Sequence, residues 1–452
     1  MNTFSQPSIA LLHWGDAIED FLDSIAVSFE SFCNEMTGGW LFGYIDALRL
    51  ANVRVVLFCI SRQTTEVKRY KHQPTDITIC VLPCPKIYHT IRRSMIDPYG
   101  WTTKDVFGEV QGIRHFWYSL VRDVAPYLAT PLAQLRQELQ RENVQAILCQ
   151  EYEYARFDVC VMLGRSLGIP VFATFQGGDF QLSRLERPLR PIALKECAGL
   201  IIATQTEIQR VQQQYGIPAK KIAQIFNPMD VESWQPPNQT SARQMLGIPL
   251  EAQVVIYHGR IDLYRKGLDI LMEAWQKVYR DRPHQPLQLI LIGTGNDSQK
   301  LHQLIAEKQI QHVKWIDEYV RDRNLICQYL AAANLYTLPS RHEGFPVAPI
   351  EAMACGLPVV ATAAPGIPDI LAGGKSAGGI VVPREDSKAL ATAIGQVLDD
   401  PDLQYEMGQN ARKRAEECFS LKAIGLQLRQ FLLQEQVDWK PYVNAQNQRS
   451  KP

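Results

Sequence analysis

The 452-residue sequence has no excess charge of either sign, no apolar run long enough to cross a bilayer and no repeated unit. Each absence excludes something. Lys and Arg number 47 and so do Asp and Glu, which argues against a chain held to nucleic acid or anionic lipid by whole-molecule charge and leaves only a local basic patch open. No stretch approaches the roughly 18 uninterrupted apolar residues of a membrane-spanning helix. The first thirty residues contain no Lys or Arg and carry Asp16, Glu19, Asp20 and Asp23, so the charged and apolar regions of a secretory leader are missing. A cytoplasmic protein is expected. The ten cysteines are scattered, and no second Cys/His pair at ligand spacing follows Cys80 and Cys84, so reduced thiols and no bound metal are expected. What is present is ordinary for a soluble globular chain: 46% hydrophobic, 21% charged, mean hydropathy −0.15. The length is about three times the ~150-residue prior for one domain, which points to two large domains.

Short apolar runs alternate with amphipathic stretches along the chain. Strands are expected at Ile9–His13, Val53–Ile60, Ile77–Leu82, Ala146–Cys149, Val171–Phe175 and Gly199–Ala203, with helices such as Leu41–Ala51 and Ala155–Leu167 between them. Unbroken Val/Ile/Leu runs suit strands buried on both faces of a parallel sheet. The polar, proline-marked stretch Asn227–Ala242 then reads as a linker. A second α/β series follows, from strand Val254–Tyr257 to strand Gly379–Val382, and three amphipathic segments, Asp386–Asp399, Asp402–Cys418 and Leu421–Leu433, close the chain. The expected architecture is α/β: two Rossmann-like, doubly wound domains with a ligand cleft between them, 1–235 and 236–418, and a segment 419–452 whose helix returns to the first domain.

Segment Ile87–Tyr127 departs from this pattern, since Tyr88, Tyr99, Trp101, Phe107, Phe116, Trp117, Tyr118 and Tyr127 are interleaved with Arg92, Arg93, Lys104, Arg114 and Arg122. Two readings stand: an insertion whose rings fill the first domain, or a surface that docks a hydrophobic, lipid or sugar partner, including peripheral contact with a membrane.

The chemistry is expected in two stretches. In Leu338–Val360 a strand ends, a loop carries Glu343 and Gly344, a helix starts near Pro346 or Val347, and Gly356-Leu357-Pro358 closes it. The free N–H groups of such a first turn make an anion site at Gly344–Val347. Glu343 and Glu351 are good acceptors for sugar hydroxyls, so one could hold a hexose and the other a ribose on either side of a diphosphate, although acids are mostly exposed and composition equally allows ordinary surface acids. In Val254–Asp269 a buried strand ends in Gly259-Arg260 and a helix follows Lys266-Gly267. Two cations at the carboxyl edge of a sheet can neutralise a departing diphosphate without metal, or can pair with Asp262 and Asp269.

The pattern Pro-Ser-x-x-Glu-Gly-Phe…Glu-Ala-Met-Ala-Cys-Gly-Leu-Pro-Val-Val-Ala from Pro339, with Gly-Arg…Lys-Gly upstream at Gly259, resembles glycosyltransferase family 4, retaining enzymes with the GT-B fold. The resemblance covers Gly247–Ser420 strongly and Thr174–Asp230 moderately. It implies that Glu343 contacts the transferred sugar, that Glu351 contacts the ribose, and that Arg260 and Lys266 bind the diphosphate. The N–H groups in the stretch Gly344, Phe345, Pro346 and Val347, of which Pro346 has none, would seat donor oxygens, the turn at Gly293 and Gly295 would lie near the nucleotide, and Tyr319-Val320 falls at the base. Gly38 and Gly39 resemble the amino-terminal loop that approaches the diphosphate. Asn227-Pro228-Met229-Asp230 resembles the family's Asn-Gly-x-Asp at the domain crossing, with Pro for Gly.

One departure concerns mechanism: Thr174-Phe175-Gln176-Gly177-Gly178-Asp179 has Gln176 where the family commonly has His. An amide can hydrogen-bond a sugar but cannot be an acid or base. Proton transfer would then fall to the departing phosphate, as in the family's proposed front-face route. Two decoys fall away, because Gly293-x-Gly295 lacks the third Gly of a dinucleotide fingerprint and Gly374-Lys375-Ser376 lacks the first Gly and frame of a phosphate loop. The expectation is a metal-independent retaining glycosyltransferase using a nucleotide diphosphate sugar and no other cofactor. Its acceptor would be a glycan, a lipid-linked or a small molecule, and it would have no nucleic-acid partner. The alternatives are an epimerase or phosphorylase on the same fold, or a catalytically weak sugar-binding scaffold.

Overall fold

The computed structural model describes residues 6–177 and 182–434, and by its internal contacts the chain divides into two units. One runs to Met229 and takes back the chain from Ile424; the other runs from Asp230 to Ala423. The division falls inside the proline-marked stretch, but the end of that stretch is no linker. Asn238 caps helix Gln239–Leu246, its side chain accepting from the Thr240 N–H at 2.9 Å. The polar end Asn444–Pro452, with everything beyond Gln434, lies outside the described residues, as do Gly178 and Asp179.

The first unit is built on eight strands in the spatial order Lys68–Lys71, Thr78–Pro83, Arg54–Ser61, Ser8–Leu12, Ala146–Cys149, Val171–Thr174, Gly199–Ile201, Ile222–Ala223. All neighbours are parallel except the first pair. Lys68–Lys71, of sequence KRYK, is exposed throughout and has no apolar run to announce it. It pairs antiparallel at the edge, where basic side chains discourage pairing with another chain. The inner strands are buried on both faces, which is why their sequences run apolar without alternation. Helix Leu421–Leu433 joins this unit from Ile424: Phe431 packs edge-on against Phe172 at 5.3 Å between centroids, and Arg429 donates to the Ala51 carbonyl at 2.9 Å.

The second unit has six parallel strands in the order Val313–Ile316, Leu287–Ile292, Gln253–His258, Leu335–Leu338, Val359–Thr362, Gly379–Val382. Strand order therefore reverses between Gln253–His258 and Leu335–Leu338, and in such sheets ligands bind beyond the carboxyl ends at that reversal. Gly374-Lys375-Ser376 is a single tight helical turn, as expected of a decoy.

The aromatic segment forms three helices, Lys86–Arg92, Thr103–Phe107 and Ile113–Leu128, with some of its rings buried in the first unit and others exposed. Tyr88 is fully buried with its hydroxyl donating to Asp16 at 2.6 Å, and Phe107 packs edge-on against Tyr118. Trp101, Phe116 and Trp117 are exposed.

Candidate functional site

At the strand reversal of the second unit lies a cavity of about 460 Å³. Its floor is made by the ends of two adjacent strands, Gly259 donating to the Ile292 carbonyl and Gly293 to that of Ile316, each at 3.0 Å. Gly293 has φ of 136°, and a Cβ there would stand 1.9 Å from the Gly259 carbonyl oxygen, so only glycine lets the two strand ends meet. His258, Arg260, Gly293, Val320 and Glu351 all face this cavity. Arg260 is exposed and has no ion pair among the described residues.

Glu351 stands on helix Ala348–Ala354, with its Oε2 2.7 Å from His258 Nε2. His258 Nδ1 is buried without a partner. The pairing restricts one carboxylate oxygen and leaves the other with acceptor capacity toward the cavity. Nothing in the sequence pattern singled out His258; the usable signal was its position as the last residue of a strand that ends in Gly-Arg.

Glu343 is held from two sides. Lys266 Nζ donates to both its carboxylate oxygens at 2.7 and 2.8 Å, and Ser340 Oγ donates to Oε1 at 2.6 Å. Gly267, at φ 63°, would bring a Cβ within 2.1 Å of the Pro339 carbonyl, so the close approach of this turn to the Glu343 loop requires glycine. The alternative partners of Lys266 are engaged elsewhere: Asp269 takes a bidentate pair from Arg341 at 2.8 Å, and Asp262 accepts from the Arg265 N–H at 2.8 Å. Glu343 and Glu351 thus each carry one nitrogen partner, Glu351 facing the cavity while Glu343 and Lys266 are not among its lining residues.

The helix expected from Pro346 or Val347 starts one residue later, at Ala348. The N–H groups of Ile350 and Glu351 already donate to the Val347 carbonyl at 2.8 and 3.0 Å and Pro349 has none, which leaves the amide of Ala348, a cavity-lining residue, and those before it as the ones to offer. Gly344, Phe345, Pro346 and Val347 precede this turn and do not line the cavity, and the Phe345 ring lies 6.3 Å from that of Phe419. Gly295 is not a lining residue either; a Cβ there would meet the Ile261 carbonyl at 2.1 Å.

Gly38, Gly39 and Gln176 belong to the first unit. Gly38 caps helix Gly39–Leu50. The Gln176 amide meets Asn227, with Nε2 donating to Oδ1 at 3.4 Å and Asn227 Nδ2 donating back at 3.3 Å, and Tyr44 donates to the same Asn227 oxygen at 3.1 Å. Beneath it lies Glu151, whose two oxygens accept from the Glu153 and Gln176 N–H groups at 3.0 Å each. Burial pushes the Glu151 carboxyl up to about 7, against the pull of those two amides. Sequence reasoning missed Glu151, an acid just past a buried parallel strand.

Glu151 also faces a second cavity, of about 340 Å³, wholly within the first unit and lined with Trp14, Tyr99, Asp123, Tyr154 and Glu186 among others. Behind it the fully buried Arg190 spans Asp158 (2.8 and 3.2 Å), Glu153 (3.2 Å) and Glu186 (3.1 Å), while Arg210 joins Glu153 to Glu207 at 2.5 and 2.6 Å.

The family model "Glycosyl transferases group 1" matches residues 238–414 and "Glycosyltransferase Family 4" matches residues 45–233. The D-inositol 3-phosphate glycosyltransferase of Corynebacterium urealyticum is 32% identical over 224 residues, which are 48% of this chain and 52% of that protein. The chain therefore spans about half the length of the curated relatives it matches. Among solved structures, Anabaena HepE with UDP superposes with a TM-score of 0.64 at 19% identity, covering 95% of this chain and 100% of that one. Sucrose-phosphate synthase of Thermosynechococcus elongatus gives 0.61 at 20%, covering 95% and 98%. At such identities the likeness is one of fold.

Proposed function

The chain belongs to glycosyltransferase family 4, with the GT-B fold, and from that premise we propose that it transfers a sugar from a nucleotide diphosphate sugar to an acceptor hydroxyl with retention of configuration. The observation that carries this reading is the pair of subsites at the strand reversal: Glu343 locked to Lys266, and Glu351 locked to His258 beside the unpaired Arg260. An anionic diphosphate between two polyols requires such a division of charge. Glu351 accepts from the ribose, Arg260 and Lys266 face the diphosphate, and Glu343 accepts from hydroxyls of the transferred sugar. As the glycosidic bond to the diphosphate breaks, negative charge collects on the leaving oxygen, and fixed cations stabilise that charge more than they stabilise the ground state.

In this proposal no metal is needed, because Arg260 and Lys266 supply the positive charge. The leaving diphosphate takes the acceptor's proton, a route consistent with Gln176 in place of the family's His, since an amide can hydrogen-bond a hydroxyl but cannot accept its proton. The acceptor is assigned to the cavity of the first unit, where rings of Trp14 and Tyr99 and the acids Asp123 and Glu151 offer a face for a sugar ring and acceptors for its hydroxyls.

HepE was crystallised with UDP and with UDP-glucose, so uridine nucleotides head the panel. A thermal-shift screen against UDP, GDP, ADP and their sugars should single out one base, since a ligand of the native state raises the melting temperature by mass action. No shift with any nucleotide would contradict the assignment. Products separate the rivals: an interconverted nucleotide sugar marks an epimerase, a sugar phosphate a phosphorylase, and binding without turnover a scaffold.

A further inference from the structure

We propose that helix Ile113–Leu128 docks this protein on an anionic membrane surface by its amino-terminal half. In this helix Ile113, Phe116, Trp117 and Leu120 are 79, 56, 58 and 44% exposed, at the i, i+3, i+4, i+7 spacing of a single helical face. Ordinarily such a stripe faces a core. Here the core-facing residues are instead Ser119, Asp123 and Ala125, and all five residues from Ile113 to Trp117 are exposed, so the first turn stands clear of the unit. The stretch between helices Lys86–Arg92 and Thr103–Phe107 leaves Ile96 and Trp101 exposed as well.

A lipid surface is the occupant that the surrounding charge favours. From Lys86 to Arg122 there are six cations and three acids in a chain that is neutral overall. All three acids are occupied: Asp105 caps helix Thr103–Phe107, Glu109 pairs with Lys104, and Asp97 accepts from the Tyr99 N–H. Arg92 and Arg122 are tied to Asp20 and Asp123, whereas Lys86, Arg93 and Arg114 have no ion pair among the described residues. Trp and Phe on a helix beside unpaired cations match the interfacial region of a bilayer, where rings sit at headgroup depth and cations meet anionic lipid. Among the described residues no helix is long and apolar enough to cross a membrane, so this contact lies on the surface.

The test is flotation of the full chain with vesicles of phosphatidylcholine alone and of phosphatidylcholine with phosphatidylglycerol. Binding to the anionic vesicles is expected, weakened by salt, and reduced at least tenfold in Phe116→Glu/Trp117→Glu, a variant that keeps the wild-type melting temperature because both side chains are exposed. Arg114→Glu should reduce binding less and flatten the salt dependence. No flotation with either vesicle overturns the proposal, as does flotation that the double variant leaves unchanged. A vesicle-free dimer dissolved by the double variant also overturns it and assigns the stripe to a second copy of the chain. Donor turnover on a soluble acceptor is independent of this outcome.

Discussion

The two units share one device, a parallel sheet with a cavity at the carboxyl ends of its strands, and differ in how they hold charge beside it. In the first, acids at and behind the cavity are bound into a buried network: Arg190 is fully buried and spans three carboxylates, and Arg210 ties one of them, Glu153, to Glu207. In the second, Glu343 and Glu351 each hold a single nitrogen partner and Arg260 has none. A network that satisfies every member is structural, because removing any part strands the rest in a low-dielectric interior. A single pair beside a cavity can be exchanged for a ligand. The difference separates charge that maintains the fold from charge available for chemistry.

The contrast breaks most visibly through substitution of its arginines. Arg190→Met should destabilise the first unit by about 3–5 kcal/mol in urea denaturation, since Asp158 would remain buried without its guanidinium and Glu153 with that of Arg210 alone. Arg260→Met, at an exposed site, should change stability by no more than about 0.5 kcal/mol while weakening nucleotide binding. Equal losses of stability would erase the distinction.

A smaller effect sharpens the account of Glu351. His258→Ala removes the group that orients its carboxylate and should weaken nucleotide diphosphate binding by about 1.5–3 kcal/mol, with partial recovery in His258→Gln, measured by calorimetric titration. Glu151 sharpens the comparison through its dependence on pH. Its native carboxyl holds a proton up to about 7 whereas the unfolded chain releases it near the ordinary 4.5, so between those values the native state binds more protons and stability falls as pH rises. Glu151→Gln should flatten that fall, read as the pH dependence of the denaturation midpoint. An unchanged slope would show that Glu151 is not the group responsible.

Most of the scaffold was legible because both sheets are parallel and buried, which forces long Val/Ile/Leu runs: Ala146–Cys149, Leu287–Ile292, Leu335–Leu338 and Val359–Thr362 can be read directly from the sequence. The elements that escaped lack that constraint. Lys68–Lys71 is an exposed edge, and Glu186–Glu196 contains Pro191 and owes its place to the burial of Arg190 among acids distant in sequence. Within the site, Arg260, Lys266, Glu343 and Glu351 lie in dense motif, whereas His258 and Glu151 matter through partners brought close only by folding. The exposed face of Ile113–Leu128 illustrates the same limit, because helical spacing identifies a stripe and not the side it turns to.

The central claim is that the second unit holds a donor whose transferred sugar is bound by Glu343. Its most direct test is turnover of the stabilising nucleotide sugar by wild type and Glu343→Ala, followed by release of the nucleotide diphosphate, with diphosphate affinity titrated on the same samples. The account predicts that the variant still binds the nucleotide diphosphate within about tenfold of wild type and loses on the order of 100-fold or more in turnover. Wild-type turnover in Glu343→Ala would contradict it.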